Sequence, residues 1–441
     1  MSSFRFVHAA DLHLDKPFRR LAHVPTPLYR QLQKAPLEAF ERLVDFCIRE
    51  NVDFVCLSGD LYELEKGRLE GPLALQKGLW RLHHAGIHAF LIRGNHDPDD
   101  GRHPQLEWPP TAHWFSSRQV EAVPFYKEGR EVARVYGFSY PAAEFRENVA
   151  RQFRRDADAP FSVAMLHTNV DGIGGHENYA PSRLGELSAS GMDYWALGHI
   201  HQRKVVRESP WVVYPGNIQA RRMRETGEKG GYLVEVEDGR VSRLTFVPFS
   251  PVVCRSWTVD VSDIGSEEAL LARLRKTLHA VRPPSMDVAF QGQPDFGVQP
   301  SDKGTITVVR LELAGTTKMS ARLQRVGVLD DLAALLNEEN GWFQAADDAM
   351  PPGGVWVADI VNRTMPPLNL DSYPLLRECV MRLRSWRNET LERNGYLAEL
   401  IRHPAAGKYL DDWSEDDWDT VLQEAESLLV SLMAASWEDG Q

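Results

Sequence analysis

Short apolar runs recur along the first half of the chain, and each stops at polar groups able to ligate a metal or carry a proton. Phe4–Ala10 ends at Asp11-Leu12-His13, Val52–Leu57 at Ser58-Gly59-Asp60, and Ile87–Ile92 just before Gly94-Asn95-His96-Asp97. Phe161–Leu166 ends at His167, and Tyr194–Leu197 at Gly198-His199-Ile200-His201. Near-continuous apolar runs of this length are the pattern of strands buried on both faces. Helical stripes lie between the first of them. Leu37, Phe40, Leu43, Val44, Cys47 and Ile48 share one helix face. Pro72–Ala85 has Pro in its first turn and Gly86 just past its end. This β-α-β-α-β order predicts a largely parallel sheet with right-handed crossovers. Open sheets of that kind place functional groups at the carboxyl ends of their strands.

Further on, Pro98–Ser117 reads as a polar loop. Gln119–Phe125 and Glu131–Phe138 flank Lys127-Glu128-Gly129-Arg130, a hairpin signal. Glu144–Ala157 and Ser182–Ser190 are predicted helices. Lys204–Val213, Tyr232–Glu237 and Arg240–Val247 are predicted antiparallel strands, the last two joined at Asp238-Gly239. Together they imply a second sheet packed on the first, with helices outside. The pattern changes near Pro248–Pro251. Strands at Trp257–Val261, Thr305–Leu313 and Val355–Ile360, with helices at Glu267–Val281 and Ser320–Asn337, predict a small α+β domain. A Pro/Gly-rich insertion over 282–304 has the composition of a mobile loop. After Pro366-Pro367, helices are predicted at Tyr373–Asn394, Tyr396–His403 and Trp418–Ala435. The last carries an apolar face (Val421, Leu422, Leu428, Leu429, Leu432) that either packs on the body or docks a partner. The expected domains are 1–250, 251–365 and 366–441.

Composition narrows the function classes. The chain has 441 residues, 43% of them hydrophobic, which is enough for several packed domains. Its 62 acidic against 50 basic residues leave a formal charge of −12, so any nucleic-acid contact must come from a local basic patch. Bound divalent cations would offset part of that acidity. Cys47, Cys56, Cys254 and Cys379 are scattered in apolar contexts, which reads as buried free thiols in a reducing cytoplasm. The first residues begin a strand rather than a signal peptide. No apolar run reaches the roughly 18 residues of a membrane span.

Taken singly, each polar cluster has an ordinary reading: Asp11 as a turn residue, His167 as a satisfied core histidine. Taken together, ligand-type residues at the ends of five core strands point to one site. Carboxylate, imidazole and amide oxygen suit Mn2+, Fe2+ or Zn2+, and the lack of thiolate argues against a structural zinc. The ligand count supports two ions sharing one carboxylate, an arrangement suited to in-line displacement at phosphorus. His96 is then the candidate to protonate the leaving alkoxide. Asp97 is the candidate to hold it in one tautomer.

In this order the clusters resemble the calcineurin-like metallophosphoesterase superfamily, over roughly residues 4–250. HAADLHLDKPF at His8–Phe18, SGDLYE at Ser58–Glu63 and GNHD are similar to the SbcD-type DNA repair nucleases. So are YPGNIQ at Tyr214–Gln219 and ETGEKG at Glu225–Gly230. The DLHLDKPF wording and the chain length resemble the YhaO-like branch. The resemblance implies one ion held by Asp11, His13, Asp60 and His201, and a second by Asp60, Asn95, His167 and His199. Asp60 would bridge, and His96 would donate the proton, steadied by Asp97. It further implies a four-layer α/β/β/α sandwich, a capping domain that touches DNA, Mn2+ as cofactor, and a homodimer formed through helices of the first domain. The C-terminal region would join an SMC-like ATPase, SbcC-like or YhaN-like. Glu63 departs from the His or Asp of many relatives.

Other polar residues carry two readings. His8 reads as core, and Asp15 as a cap or a support behind the ligands. His176 and Asn178 lie in the Gly-rich stretch Gly172–Tyr179, either a solvated loop or a phosphate contact. Arg221, Arg222, Arg224 and Lys229 follow the YPGN turn, and a basic patch there predicts contact with backbone phosphate. Lys16, Arg19 and Arg20 form a second such patch. Trp108, Trp114 and Phe115 either stack on DNA or pack internally. The sequence therefore predicts a metal-dependent DNA exonuclease/endonuclease of repair. The alternatives are a phosphoesterase acting on a small nucleotide or other phosphodiester, and a non-catalytic scaffold for the ATPase.

Overall fold

A computed structural model describes residues 3–16, 18, 24–64, 67–173, 177–281, 305–342 and 354–367, with scattered helical positions between 377 and 425. These fall into two compact units that part between Cys254 and Arg255.

The first unit opens with β1 (Ser3–Ala9), α1 (Thr26–Arg49), β2 (Phe54–Ser58), α2 (Glu70–His84) and β3 (His88–Ile92). Then come β4 (Ala112–Trp114), β5 (Glu121–Lys127), β6 (Arg130–Gly137), β7 (Ser162–His167), α3 (Leu184–Ala189) and β8 (Tyr194–Gly198). β9 (Lys204–Glu208), β10 (Trp211–Tyr214), β11 (Gly230–Glu237) and β12 (Arg240–Pro248) complete it. Two mixed six-stranded sheets result, ordered β12-β11-β1-β2-β3-β4 and β5-β6-β7-β8-β10-β9. β1 to β4 run parallel, as do β6, β7, β8 and β10.

The uniform apolarity of the strands follows from burial on both faces. Phe4, Phe6, Phe54 and Phe90 of the first sheet share one core with Phe125, Val163 and Met165 of the second. Phe6 and Phe54 stack there with ring centres 4.9 Å apart. The alternate residues Val7, Val55 and Leu57 pack against Phe40 and Leu43 of α1 and Leu75 and Leu79 of α2. Behind the second sheet, Ala164, Leu166, Trp195 and Leu197 pack against Val149, Phe153 and Leu187. Phe115 is buried between the sheets, and Trp108 and Trp114 pack on the α1/α2 core, so these aromatics are structural.

Several expectations are corrected. α1 begins at Thr26 rather than Leu37, because Leu28, Leu32 and Ala35 extend its buried stripe through Pro36. Of the helix expected over Glu144–Ala157 only a 3-10 turn, Val149–Gln152, forms. Beyond it the chain is tied to strands instead: Asp156 bonds Arg134 and Tyr136, and Arg155 bonds Asp193. Lys204–Val213 is two strands, since Pro210 cannot donate to a ladder. β11 and β12 join the first sheet through β1, not the second. The expected hairpin at Lys127–Arg130 is present, with Glu128 and Gly129 both left-handed.

The second unit contains most of β13 (Val252–Asp260), then α4 (Glu267–Val281), most of β14 (Ile306–Thr316), α5 (Ser320–Leu323), α6 (Val328–Glu339) and β15 (Val355–Met365). The sheet order is β13-β14-β15. Bonds from Val261 to Ala314 and from Thr317 to Met365 align the strand ends, so the strands are parallel. Strand and helix alternate, which makes this unit α/β rather than the α+β expected. Leu270, Leu274 and Leu278 of α4 face Val309, Leu311 and Leu313. The single helix expected over Ser320–Asn337 breaks at left-handed Gly327. The insertion 282–304 and Cys379 lie outside the described residues, as do the predicted C-terminal helices apart from those scattered positions. Among the described residues, Cys47, Cys56 and Cys254 are buried free thiols, and no helix is long and apolar enough to cross a membrane.

His8 is fully buried and ties the two sheets together. Tyr194 donates its hydroxyl to Nδ1, and Nε2 donates to the Leu197 carbonyl, both at 3.1 Å. Burial lowers its pKa from 6.5 to about 3, against a smaller upward pull from Leu197. Below pH 6.5 the unfolded chain takes up a proton that the folded chain refuses. Stability therefore falls as pH drops from about 6.5 toward 3, by about 1.4 kcal/mol per unit. In urea unfolding compared at pH 7 and pH 5, the protein is expected to lose about 2 kcal/mol more than His8→Gln. Equal losses would contradict the assignment.

Candidate metal centre

The carboxyl ends of β1, β2 and β3 meet those of β7 and β8, and every polar cluster identified in the sequence lies at this junction. The loop after β1 runs alongside the one after β2: Asp11 N donates to Gly59 O at 3.1 Å and His13 N to Asp60 O at 3.0 Å. Across the sheets, His199 N donates to both oxygens of the Asp11 carboxylate, at 3.1 and 3.2 Å. Asp11, His13, Asp60 and His199 all adopt positive φ. Such backbone costs on the order of 1–3 kcal/mol per residue and concentrates at functional sites. Two glycines explain the recurring Gly-Asn-His and Gly-His wording. A Cβ on Gly94 would collide with the Asp60 carboxylate, and one on Gly198 with the Ser58 carbonyl and the His167 ring.

The side chains converge as acceptors. His13 donates Nδ1 to Glu63 at 2.9 Å, which leaves the Nε2 lone pair facing His201 Nε2 at 3.3 Å. His167 donates Nδ1 to Ser58 O at 2.9 Å; its Nε2 faces Asn95 Oδ1 at 3.2 Å and Asp60 Oδ2 at 3.4 Å. Three triads bring ligand atoms within 4.8 Å of one another: Asp11, His13 and His201; Asp11, Asp60 and His167; and His13, Asp60 and His96. Nitrogen and oxygen acceptors facing each other, with no thiolate, form a donor set that fits divalent cations. His199 stands beside His167, ring centres 5.2 Å apart, and its Nε2 donates to Glu177 O at 2.7 Å.

The electrostatics agree. Burial, reinforced by Asp60, raises the Asp11 carboxyl to about 7 despite the opposing His167. Asp60 is equally buried, but His167, His96 and His13 hold it well below the usual carboxylate range. Burial and Arg221 push His13 well below the ordinary histidine value, so it is neutral, as a ligand must be. Burial would lower His167 too, yet Asp60 and Asp11 raise it to about 9. A cation held among these groups would take the place of that proton.

Asp97 does not touch His96 as the sequence suggested. Its carboxylate accepts backbone N–H bonds from Gly94, Asp60 and Leu61 at 2.8–3.1 Å, and so joins the loops after β2 and β3. The turn after Gly94 aims Asp97 inward while His96 remains partly exposed. The carboxylate that meets His96 is Glu63, with Oε2 3.1 Å from Nδ1. Glu63 also binds His13 and, at 2.9 Å, the Lys16 ammonium. Only its spacing three residues after Asp60 hinted at this. Glu225, likewise missed, lies 3.4 Å from His201 Nδ1 and accepts from Arg221 N and Asn217. Lys229 Nζ donates to His201 O at 3.3 Å, so it braces the loop. Asp15 accepts from Glu63 N. Arg222 is half-buried, and Arg224 and Asn178 are exposed. His176, Arg19 and Arg20 lie outside the described residues.

The calcineurin-like phosphoesterase family matches residues 4–203. Over 433 residues the chain is 35% identical to the uncharacterized metallophosphoesterase YhaO of Bacillus subtilis (strain 168), covering 97% of this chain and 98% of that one. It is 26% identical over 304 residues to the DNA double-strand break repair protein Mre11 of Methanopyrus kandleri, 62% of each chain. To a subunit of the nuclease SbcCD of Staphylococcus epidermidis it is 23% identical over 279 residues, 56% of this chain and 70% of that one.

Manganese is expected to stabilise the protein, by about 2.7 kcal/mol for an ion at a hundred times its Kd, read as a rise in Tm. In Gly94→Ala the added methyl displaces the Asp60 carboxylate. Its Mn2+ affinity by titration calorimetry should fall on the order of 10–100-fold. Unaltered affinity in that variant would contradict the geometry.

Proposed function

The chain belongs to the calcineurin-like phosphoesterases, and from that premise we propose that it is a DNA nuclease working with two divalent ions, taken as Mn2+. The observation that carries the reading is the convergence of buried acceptors around Asp60, with His96 left at the rim. In this reading Asp11, His13, Asp60 and His201 hold one ion. Asp60, Asn95, His167 and His199 hold the other. Bound there, the pair supplies an activated water and neutralises charge on the phosphoryl oxygens.

The protein's own groups do the rest. His96 has its Nδ1 committed to Glu63, so Nε2 is the nitrogen left for proton transfer; it lies 4.0 Å from Asp60 Oδ2. Burial lowers the His96 pKa, but Asp60 and Glu63 outweigh it and raise the net value. His96 is thereby kept ready to give a proton to the leaving alkoxide. Asp97 contributes by fixing the backbone on which Asp60 and Asn95 stand.

DNA as the substrate is supported by the named roles of the Mre11 and SbcCD relatives. The same reading makes the first unit a four-layer α/β/β/α sandwich and the second a DNA-touching cap. It extends to a homodimer and to an SMC-like ATPase partner.

With Mn2+, the protein is expected to cleave labelled duplex or single-stranded DNA. His96→Ala should cut that rate on the order of 10²–10⁴-fold while Mn2+ still binds, and Glu63→Gln should act in the same direction. Both should slow bis(p-nitrophenyl) phosphate much less, because nitrophenolate leaves without a proton. Equal losses on the two substrates would remove His96 as the donor. No cleavage of any DNA by the manganese-loaded protein would remove the nuclease reading.

A further inference from the structure

Arg221 is an anomaly in a site built for cations. Its side chain is only 10% exposed, and a guanidinium does not deprotonate at physiological pH. Nη2 lies 3.2 and 3.3 Å from the two ring nitrogens of His201. Nη1 lies 4.0 Å from Glu63 Oε1, beyond hydrogen-bond reach. Neither Nε nor Nη1 has a hydrogen-bond acceptor among the described residues. Glu225 fixes the residue from behind by accepting its backbone N–H at 2.7 Å.

Burying a permanent charge is costly unless it is paired and hydrogen-bonded. Here the cost is compounded, because the guanidinium sits against His201, itself a candidate ligand for a dication. Glu63 and Glu225 offset part of the charge, yet Nε and Nη1 still lack a hydrogen-bond acceptor among the described residues, which an anionic ligand would supply. The open donors are of the kind that matches the oxygens of phosphate. The other basic residue buried beside His201 is committed, since Lys229 Nζ bonds the His201 carbonyl.

We infer that Arg221 is a catalytic residue that binds a non-bridging oxygen of the substrate's phosphodiester group and stabilises the charge developing there. This rests on the phosphoesterase reading above and gives it a phosphate-holding group separate from the metal ligands. It also separates Arg221 from Arg222 and Arg224, whose contacts would be with the DNA backbone further out.

The test compares Arg221→Ala, and the milder Arg221→Lys, with the unaltered protein, all loaded with Mn2+. Three quantities are measured: Mn2+ affinity, inorganic phosphate affinity by calorimetry, and hydrolysis of bis(p-nitrophenyl) phosphate. The expected result is unchanged Mn2+ affinity, weakened phosphate binding in both variants, and kcat/KM in Arg221→Ala reduced on the order of 10²–10³-fold. Added guanidinium at millimolar concentration should restore part of the rate in Arg221→Ala. If Mn2+ affinity falls in step with activity, Arg221 only props His201 and the proposal fails. It fails equally if phosphate binds both variants as it binds the unaltered protein. If the unaltered protein hydrolyses no diester yet binds phosphate through Arg221, the phosphodiesterase reading falls and the Arg221 site stands.

Discussion

The structure turns on a conflict among acceptors. His13 and His201 aim ring nitrogens at each other across 3.3 Å, and His167 aims its own at Asp60 and Asn95. Lone pairs and carboxylates held this close, out of contact with most water, repel unless a positive charge lies among them. His167 shows the consequence, since its neighbours raise its affinity for a proton above that of ordinary imidazole. A pair of divalent ions resolves the conflict in the proposed account. The remaining features either bring these acceptors together or use the charge that they gather.

The fold supplies the convergence. Parallel strands deliver their carboxyl ends to one edge, and two stacked sheets place two such edges side by side. Apolar packing on both sheet faces fixes the strands, while Gly94 and Gly198 allow the loops to approach without a clash. The strain of left-handed Asp11, His13, Asp60 and His199 is borne by that scaffold. Asp97 commits its charge to backbone rather than to a catalytic partner, and Glu63 takes the partnership with His96. Glu63 thus links His13, His96 and Lys16 in one network, a coupling that makes single substitutions there non-additive.

Much of this was legible because burial on two faces leaves an unmistakable mark. The runs before Asp11, Asp60, Gly94, His167 and His199 read as core strands, and ligand-type residues at all five ends pointed to one site. What alternation cannot encode is partner choice. β11 reads as a strand wherever it lies, and its pairing with β1 depends on the path of the returning chain. Glu144–Ala157 was expected to be helical, yet bonds from Arg155 and Asp156 to Asp193 and Arg134 hold its last residues outside a helix. Asp97 was misassigned because adjacency in the chain is not adjacency in space: one turn sends it inward and His96 outward. Glu63 stood out in the sequence only as a departure from relatives and Arg221 only as part of a basic patch, and their contacts with His13, His96 and His201 appear in the structure alone.

The central claim is that these acceptors share two cations through Asp60. Anomalous diffraction from a crystal grown with Mn2+ reads it most directly. The account predicts two adjacent peaks with the Asp60 carboxylate between them, and the His96 ring near both yet bound to neither. A single peak, or ions seated away from Asp60, would contradict it.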